Sequence, residues 1–393
     1  MRELQGIIDD VQDLKVLVVD DQANMRRTVK SMLRALGFQK FTEAEDGDAA
    51  LRIIGSGPLD LIICDWNMPR VKGVEVLRTM RKDRKYDDVS FLMLTGEVAE
   101  DRVAETIEAE VDAYIIKPFQ IQTLEEKLIG ILTKRKAPSA LDVQIKLAEK
   151  CLAEGDVAQA HRELDKAAQV RPRSPKLYFQ RGLVFEAEGK MAEAEKCFHL
   201  AKQLGPLFIK VHDKLAHIYQ ARGRNAEVCV ILGEAVKISP NNINRQMRLG
   251  RAYLAEKRYE EARKAFAKVL SLDRDNQNRK LAIGKMYITS GLLGDAEKVF
   301  KQFIEAHPGN LDAYNRLGIL LRRIGRHEEA VDYYRQALKV APKDPNLYFN
   351  LARVLLDLNR QDDAAAHLRR ALSLDPDFEE ARTVLNKMKT GEY

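Results

Sequence analysis

Histidine is absent from the first 160 residues, and the whole chain has only 7. Any histidine chemistry used by that stretch must therefore come from outside it. Cysteine is scarce: Cys64, Cys151, Cys197 and Cys229 show no Cys-x-x-Cys spacing. That excludes a disulfide scaffold and reads as small buried apolar residues in a reduced protein. Only 12 prolines and 22 glycines are present, which excludes collagen-like and low-complexity classes. Long hydrophobic runs are lacking. The first one, Val16 to Val19, is far too short to span a membrane. Met1-Arg2-Glu3-Leu4 leads into Asp9-Asp10 without the apolar core of a secretory signal. The expectation is a cytoplasmic protein with no membrane span.

The chain is 393 residues long, 45% hydrophobic and 32% charged, a length for two to three ordinary domains. Its net charge of +6 hides an asymmetry. Residues 1–140 carry 21 Lys+Arg against 25 Asp+Glu, a net of −4, and residues 141–393 carry 44 against 34, a net of +10. Two differently charged halves suggest two differently employed halves.

The first half alternates short apolar runs with helical patterns. Strands are expected at Leu14–Val19, Lys40–Ala44, Leu59–Cys64, Phe91–Leu94 and Ala113–Ile116. Helices fit Gln22–Leu36, Asp48–Ile54, Val74–Arg81, Asp101–Ala109 and Gln122–Leu132. That order predicts an α/β doubly wound, flavodoxin-like domain with five parallel strands, its ligand site at the carboxyl ends of the strands.

The second half repeats every 34 residues. Ala148, Gly182, Ala216, Gly250, Gly284, Gly318 and Ala352 form one column at that period. Twelve residues on come Ala160, Ala194, Val228, Ala262, Ala296, Ala330 and Ala364, and four further on Leu164, Phe198, Leu232, Phe266, Phe300, Tyr334 and Leu368. The physical reading is a helix pair per repeat, with small residues admitting a large neighbour from the other helix. Gly155, Gly189, Gly223, Gly291 and Gly325 fall at the turns, with Lys257 and Asn359 in the remaining two. Prolines end the repeats at Pro172, Pro206, Pro240, Pro308, Pro342 and Pro376, with Arg274 in the fourth slot. The pattern resembles the tetratricopeptide repeat, an all-α solenoid of seven units over 141–378. Residues 379–393 continue as a capping helix. A linker is expected at 134–140, where Pro138 breaks a helix and Ser139 with Asp142 forms a capping box. Residues 1–13 are an N-terminal extension and 14–133 the α/β domain.

The strand ends carry the chemistry. Asp20 and Asp21 follow the first strand, Asp65 and Asn67 the third, Thr95 the fourth and Lys117-Pro118-Phe119 the fifth. Carboxylates converging on one crevice repel one another unless a divalent cation joins them, and hard oxygen donors favour Mg²⁺ over zinc. A lysine beside them suits a phosphoryl oxyanion.

These motifs, with Asp65-Trp66-Asn67-Met68-Pro69, Gly73 and Tyr114, resemble the receiver domain of two-component response regulators, nearest the single-domain chemotaxis regulators, over 13–133. The resemblance implies that Asp65 takes a phosphoryl group from a phosphohistidine on a histidine kinase or phosphotransfer protein. It implies that Asp21, Asp65 and the Asn67 backbone carbonyl ligate Mg²⁺, with Asp20 acting through water. Lys117 would pair with Asp65 and then with the phosphoryl oxygens, Thr95 would donate its hydroxyl, and Tyr114 would turn inward as Thr95 moves. Such a protein is not an enzyme beyond its own phosphorylation and dephosphorylation. Tyr114 is read equally as a core aromatic, Trp66 as packing or as a pocket-bordering reporter, and Cys64 as packing. The implied coupling surface is 98–133, so the switch should reach the first repeat.

For the repeats, Lys176, Lys210, Asn244, Arg251, Lys285, Asn315, Arg322, Asn346 and Arg353 are expected on the concave face. They read either as solvation or as a groove for an acidic protein or peptide. Nucleic acid is not expected, because repeats fill the space a helix-turn-helix would need. Two other functions compete. One is a constitutive protein-binding scaffold whose α/β domain only docks. The other is a small-molecule phosphatase, disfavoured because Asn67 stands where that chemistry wants a second aspartate.

Overall fold

The computed structural model describes residues 11–86, 88–96, 111–274 and 276–390. The chain divides into two compact units, residues 1–249 and 250–393, the boundary falling inside the helix Ile243–Ala255.

The first unit opens with a five-stranded sheet. Its strands are β1 (Lys15–Val19), β2 (Lys40–Ala44), β3 (Leu61–Asp65), β4 (Ser90–Thr95) and β5 (Ala113–Ile116). They lie in the order β2-β1-β3-β4-β5, every pairing parallel. Side chains alternate between two apolar layers, as a period of two demands. Val16, Val18, Ile63, Leu92 and Leu94 pack with Val29 and Leu33 of the helix Ala23–Ala35 and with Leu124 and Leu128 of the helix Ile121–Lys136. Leu17, Val19, Ile62, Cys64, Phe91 and Met93 pack on the other face with Ile54 and Leu77 of the helices Gly47–Ser56 and Gly73–Met80. β1, β3 and β4 are buried on both sides and so read as continuous apolar runs, whereas β2 at the sheet edge is largely exposed.

Several boundaries differ from the sequence reading, three of them with consequences. β3 and β4 run one residue further than expected, so Asp65 and Thr95 are the last residues of their strands rather than loop residues. Strand hydrogen bonding continues past the apolar run because both side chains face a crevice, not a core. The helix Ile121–Lys136 also continues through the basic run, leaving only Ala137–Ser139 between it and the next helix. Lysine and arginine in a last turn complement the helix dipole, so the run prolongs the helix. Ser139 caps the helix Ala140–Ala153, its Oγ accepting from the Asp142 N–H at 3.1 Å. The helix expected at Asp101–Ala109 and residues 1–10 lie outside the described residues.

Seven helix pairs come next, from Ala140–Ala153 with Val157–Val170 through Pro345–Asp357 with Gln361–Leu374, and then the helix Glu379–Thr390. All seven interhelix turns contain a left-handed residue, including Lys257 at φ 56° and Asn359 at φ 57° where glycine is replaced. The small-residue column explains itself geometrically. A side chain on Gly182, Gly250, Gly284 or Gly318 would run into the ring of Phe198, Phe266, Phe300 or Tyr334 respectively. Where the column holds alanine (Ala148, Ala216, Ala352), the facing residue is leucine (Leu164, Leu232, Leu368). Glycine goes with an aromatic and alanine with leucine in every repeat, conserving volume at a close-packed contact.

Candidate functional site

Parallel register builds the site. Val19 pairs with Cys64, Asp65 with Leu94 and Thr95 with Ile116, so Asp20, Asp65, Thr95 and Lys117 reach one edge of the sheet together. Asp20 is fully buried and Asp65 is 6% exposed. One ammonium joins them: Lys117 Nζ lies 2.6 Å from Asp20 Oδ2 and 2.7 Å from Asp65 Oδ1. The other oxygens are held by backbone. Asp20 Oδ1 accepts from the Gln22 N–H at 2.9 Å, and Asp65 Oδ2 accepts from the Asn67 N–H at 3.1 Å. The Lys117 N–H donates to the Thr95 carbonyl at 2.6 Å, tying the two strand ends together.

Burial pushes the Asp65 carboxyl above its usual value, Lys117 only partly opposing it. Burial pulls Lys117 down, but its bonds to Asp20 and Asp65 outweigh this and leave it above the ordinary lysine value. Two desolvated carboxylates thus share one cation, with Asp21 exposed at the mouth. This excess of negative oxygen fits a hard divalent cation. Among the described residues no three His, Cys, Asp or Glu side chains converge as a closed metal cluster. Mg²⁺ is commonly held by one or two carboxylates with carbonyls and waters, and Asp65, Asp21 and the Asn67 carbonyl would supply those donors.

Other side chains hold this geometry. Arg26, from the helix after β1, donates to the Asp20 carbonyl at 2.8 Å and pairs with Glu43 at 3.2 Å. Sequence reasoning gave it no role, since nothing local announces a contact six residues back. Gly73 lets its helix start directly on β3: its N–H donates to the Trp66 carbonyl at 3.1 Å, and a side chain there would meet the Asp65 carbonyl. Trp66 is 4% exposed within an apolar cluster, so packing is its role. Cys64 is likewise core, its thiol pushed well up by burial. Tyr114 is half-buried, with Lys127 Nζ 5.9 Å from its ring centroid. Of the surface expected at 98–133, residues 98–110 lie outside the described residues.

The repeat residues named from the sequence share one kind of element. All nine lie on the first helices of their repeats. Lys176 pairs with Asp142 at 3.1 Å, Arg322 with Asp357 at 2.5 Å, and Asn315 accepts from Asn350 at 2.7 Å. Arg353 lies 5.8 Å from the Phe349 ring centroid. Asn244, Arg251, Lys285 and Asn346 are exposed and Lys210 is half-buried. No helix among the described residues is long and apolar enough to cross a membrane.

Comparison with known proteins falls into the same two parts. The response regulator receiver domain profile matches residues 16–129. Two tetratricopeptide repeat profiles match residues 146–206 and 281–345, and 219–286 and 321–388. The chain is 43% identical over 121 residues to the chemotaxis protein CheY of Pseudomonas aeruginosa, spanning 31% of this chain and 98% of that one. It is 42% identical over 123 residues to the chemotaxis protein CheY-3 of Vibrio cholerae, spanning 31% and 95%. The structure of Naa15/Naa10 bound to HypK-THB is alike in fold alone, at 15% identity over 63% of this chain and 39% of that one, with a TM-score of 0.51.

Proposed function

Because this chain belongs to the response regulator receiver family through residues 16–129 and carries tetratricopeptide repeats behind them, we propose that it is a phosphorelay switch whose output is protein binding. Asp65 is the phosphoacceptor. The observation that carries the reading is the pair of buried carboxylates held by Lys117 at 2.6 and 2.7 Å at the carboxyl end of the sheet.

A Mg²⁺ ion bound by Asp65, Asp21 and the Asn67 carbonyl, with Asp20 behind water, would neutralise charge on the incoming phosphoryl group. The chain's own residues do the rest. An Asp65 carboxylate oxygen forms the new P–O bond as the donor's P–N bond to imidazole breaks, an in-line transfer in which positioning dominates. The Asn67 N–H and Lys117 orient that carboxylate before transfer. Lys117 then exchanges its Asp65 contact for a phosphoryl oxygen, and the Thr95 hydroxyl donates to another. A histidine kinase or phosphotransfer protein supplies the phosphoryl group, and an acidic protein fits the basic repeats. On this reading the protein works in the cytoplasm; no helix among the described residues is long and apolar enough to cross a membrane.

The test is phosphate-affinity electrophoresis after incubation with Mg²⁺ and acetyl phosphate. Native protein should shift, Asp65→Asn should not, and chelation should abolish the shift. Labelling that survives in Asp65→Asn, or that is absent from native protein, would overturn the assignment. The second outcome would favour a constitutive scaffold.

A further inference from the structure

Three departures from the repeat meet at one place in the second unit. Six repeats end in proline, and the fourth has Arg274 instead. The turn does not demand this: Asp273 has φ −135° and ψ 66°, matching His307 before Pro308 at φ −137° and ψ 70°. Lys280 is the one lysine in a column that elsewhere holds tyrosine, glutamine or histidine. Phe303 stands where five repeats have alanine and the fourth has Val269.

These residues border a cavity of about 400 Å³ with Leu270, Val299 and His307. Its floor is apolar and its rim basic. Lys280 Nζ lies 5.5 Å from the Phe303 ring centroid, and the His307 ring packs edge-on to the same ring at 5.2 Å. The adjacent arginine, Arg279, is already paired with Asp273, so that carboxylate is not free for Arg274. Among the described residues Arg274, Lys280 and His307 have no carboxylate partner. Two unneutralised cations, Arg274 and Lys280, beside an apolar hollow of ligand-pocket size call for an anion with an apolar body. Phe303 is fully buried and offers no stacking face, which disfavours a nucleic acid base.

We propose that this cavity binds an acidic peptide segment of a partner protein, an apolar side chain entering beside Leu270 and Ala306, above the buried Phe303, and flanking carboxylates meeting Arg274 and Lys280. The inference rests on the reading that the repeats bind protein, and assigns that binding to a place off the exposed first-helix residues Arg251 and Lys285.

The full chain is panned against a random-peptide display library in three forms: native, Arg274→Glu with Lys280→Glu, and Arg251→Glu with Lys285→Glu. Native protein should select an aliphatic or aromatic residue flanked by Asp or Glu. A synthetic peptide of the selected sequence should bind the cavity pair at least about tenfold more weakly by fluorescence anisotropy, roughly 1.4 kcal/mol, and bind the other pair as native. Arg274→Pro restores the residue of the other six repeats, so it should melt as native yet bind more weakly. Selection of peptides without acidic residues, or native binding by the cavity variants, would overturn this inference and leave protein binding by the repeats standing. Selection of no peptide by the native chain would overturn both.

Discussion

Gly73 has no room for a side chain, because a Cβ there would press on the Asp65 carbonyl and lie 3.0 Å from Cys64 Sγ. The obstacle is backbone, which cannot rotate aside, so either the helix start or Asp65 must move. Gly73→Ala should therefore slow phosphorylation by acetyl phosphate by about 10²-fold, the scale expected when a reacting group shifts by about an ångström. Phosphorylation kinetics checks this, and a native rate in a folded variant would show that the loop absorbs the methyl group. Much of this site was legible in the sequence. Aspartates ending apolar runs, with Thr95 and Lys117 after later ones, converge by the strand-end rule alone. What was not legible is the sharing of one ammonium by two buried carboxylates, since register and not spacing sets those distances. Trp66, adjacent to Asp65, was ambiguous for a similar reason: which face of the sheet a loop residue meets is decided in three dimensions.

At the scale of the element, the repeats are specified by paired volumes. The 34-residue period alone revealed the helix pairs. The matching of glycine with aromatic residues and alanine with leucine needed the contact between Gly284 and Phe300 to give it meaning. Gly284→Ala gains up to about 1 kcal/mol of helix propensity but overpacks the contact by about 1–3 kcal/mol, so it should destabilise. Phe300→Leu should destabilise as well, by leaving a cavity. Together they recreate the alanine–leucine contact of repeats one, three and seven, and a double-mutant cycle in urea should give a favourable coupling of about 1–2 kcal/mol. Additive effects would refute volume matching. The third repeat carries a second test. His212 is 2% exposed, its Nδ1–H donates to the Phe208 carbonyl at 3.3 Å, and Nε2 lies 3.6 Å from Glu234. Burial holds its pKa below the ordinary value, with Lys202 adding to this and Glu234 and Asp213 opposing. A depressed folded-state pKa means that the neutral form's contribution is present above about pH 6.5 and is lost as pH falls through the folded value. His212→Gln, the residue its column has at Gln144 and Gln246, should lose less melting temperature than native protein between about pH 7 and pH 5. Equal slopes in thermal melts would count against it.

At the scale of the molecule, the question is how the state of Asp65 reaches the repeats. The first unit holds a physical route at the opposite end of the same strands. Asp60, just before β3, accepts from Arg135 at 2.8 Å through Oδ1 and at 3.2 Å through its carbonyl. The same aspartate accepts from the Lys15 N–H at 2.9 Å, and its carbonyl accepts from the Ser90 N–H at 3.0 Å, so it gathers the starts of β1, β3 and β4. Arg135 lies in the last turn of the helix that leads, across Ala137–Ser139, into the first repeat. Lys146 of that repeat adds a bond to Asp88 at 2.9 Å, but those side chains are 62% and 85% exposed. An exposed pair contributes little, so the better-buried Arg135–Asp60 pair, at 35% and 27%, carries the connection. The far ends of these strands are Asp20, Asp65 and Thr95, and a strand is a stiff connection over so few residues. If phosphorylation displaces the ends of β3 and β4, Arg135 should transmit the shift to residues 137–153. Hydrogen exchange with Mg²⁺ and beryllofluoride should then change protection in that segment of native protein. Arg135→Ala should remove the change while leaving phosphorylation of Asp65 intact, because the pair is at the other end of the sheet. Lys146→Ala should remove little of it. A response that survives Arg135→Ala would mean that the switch reaches the repeats by another face of the sheet.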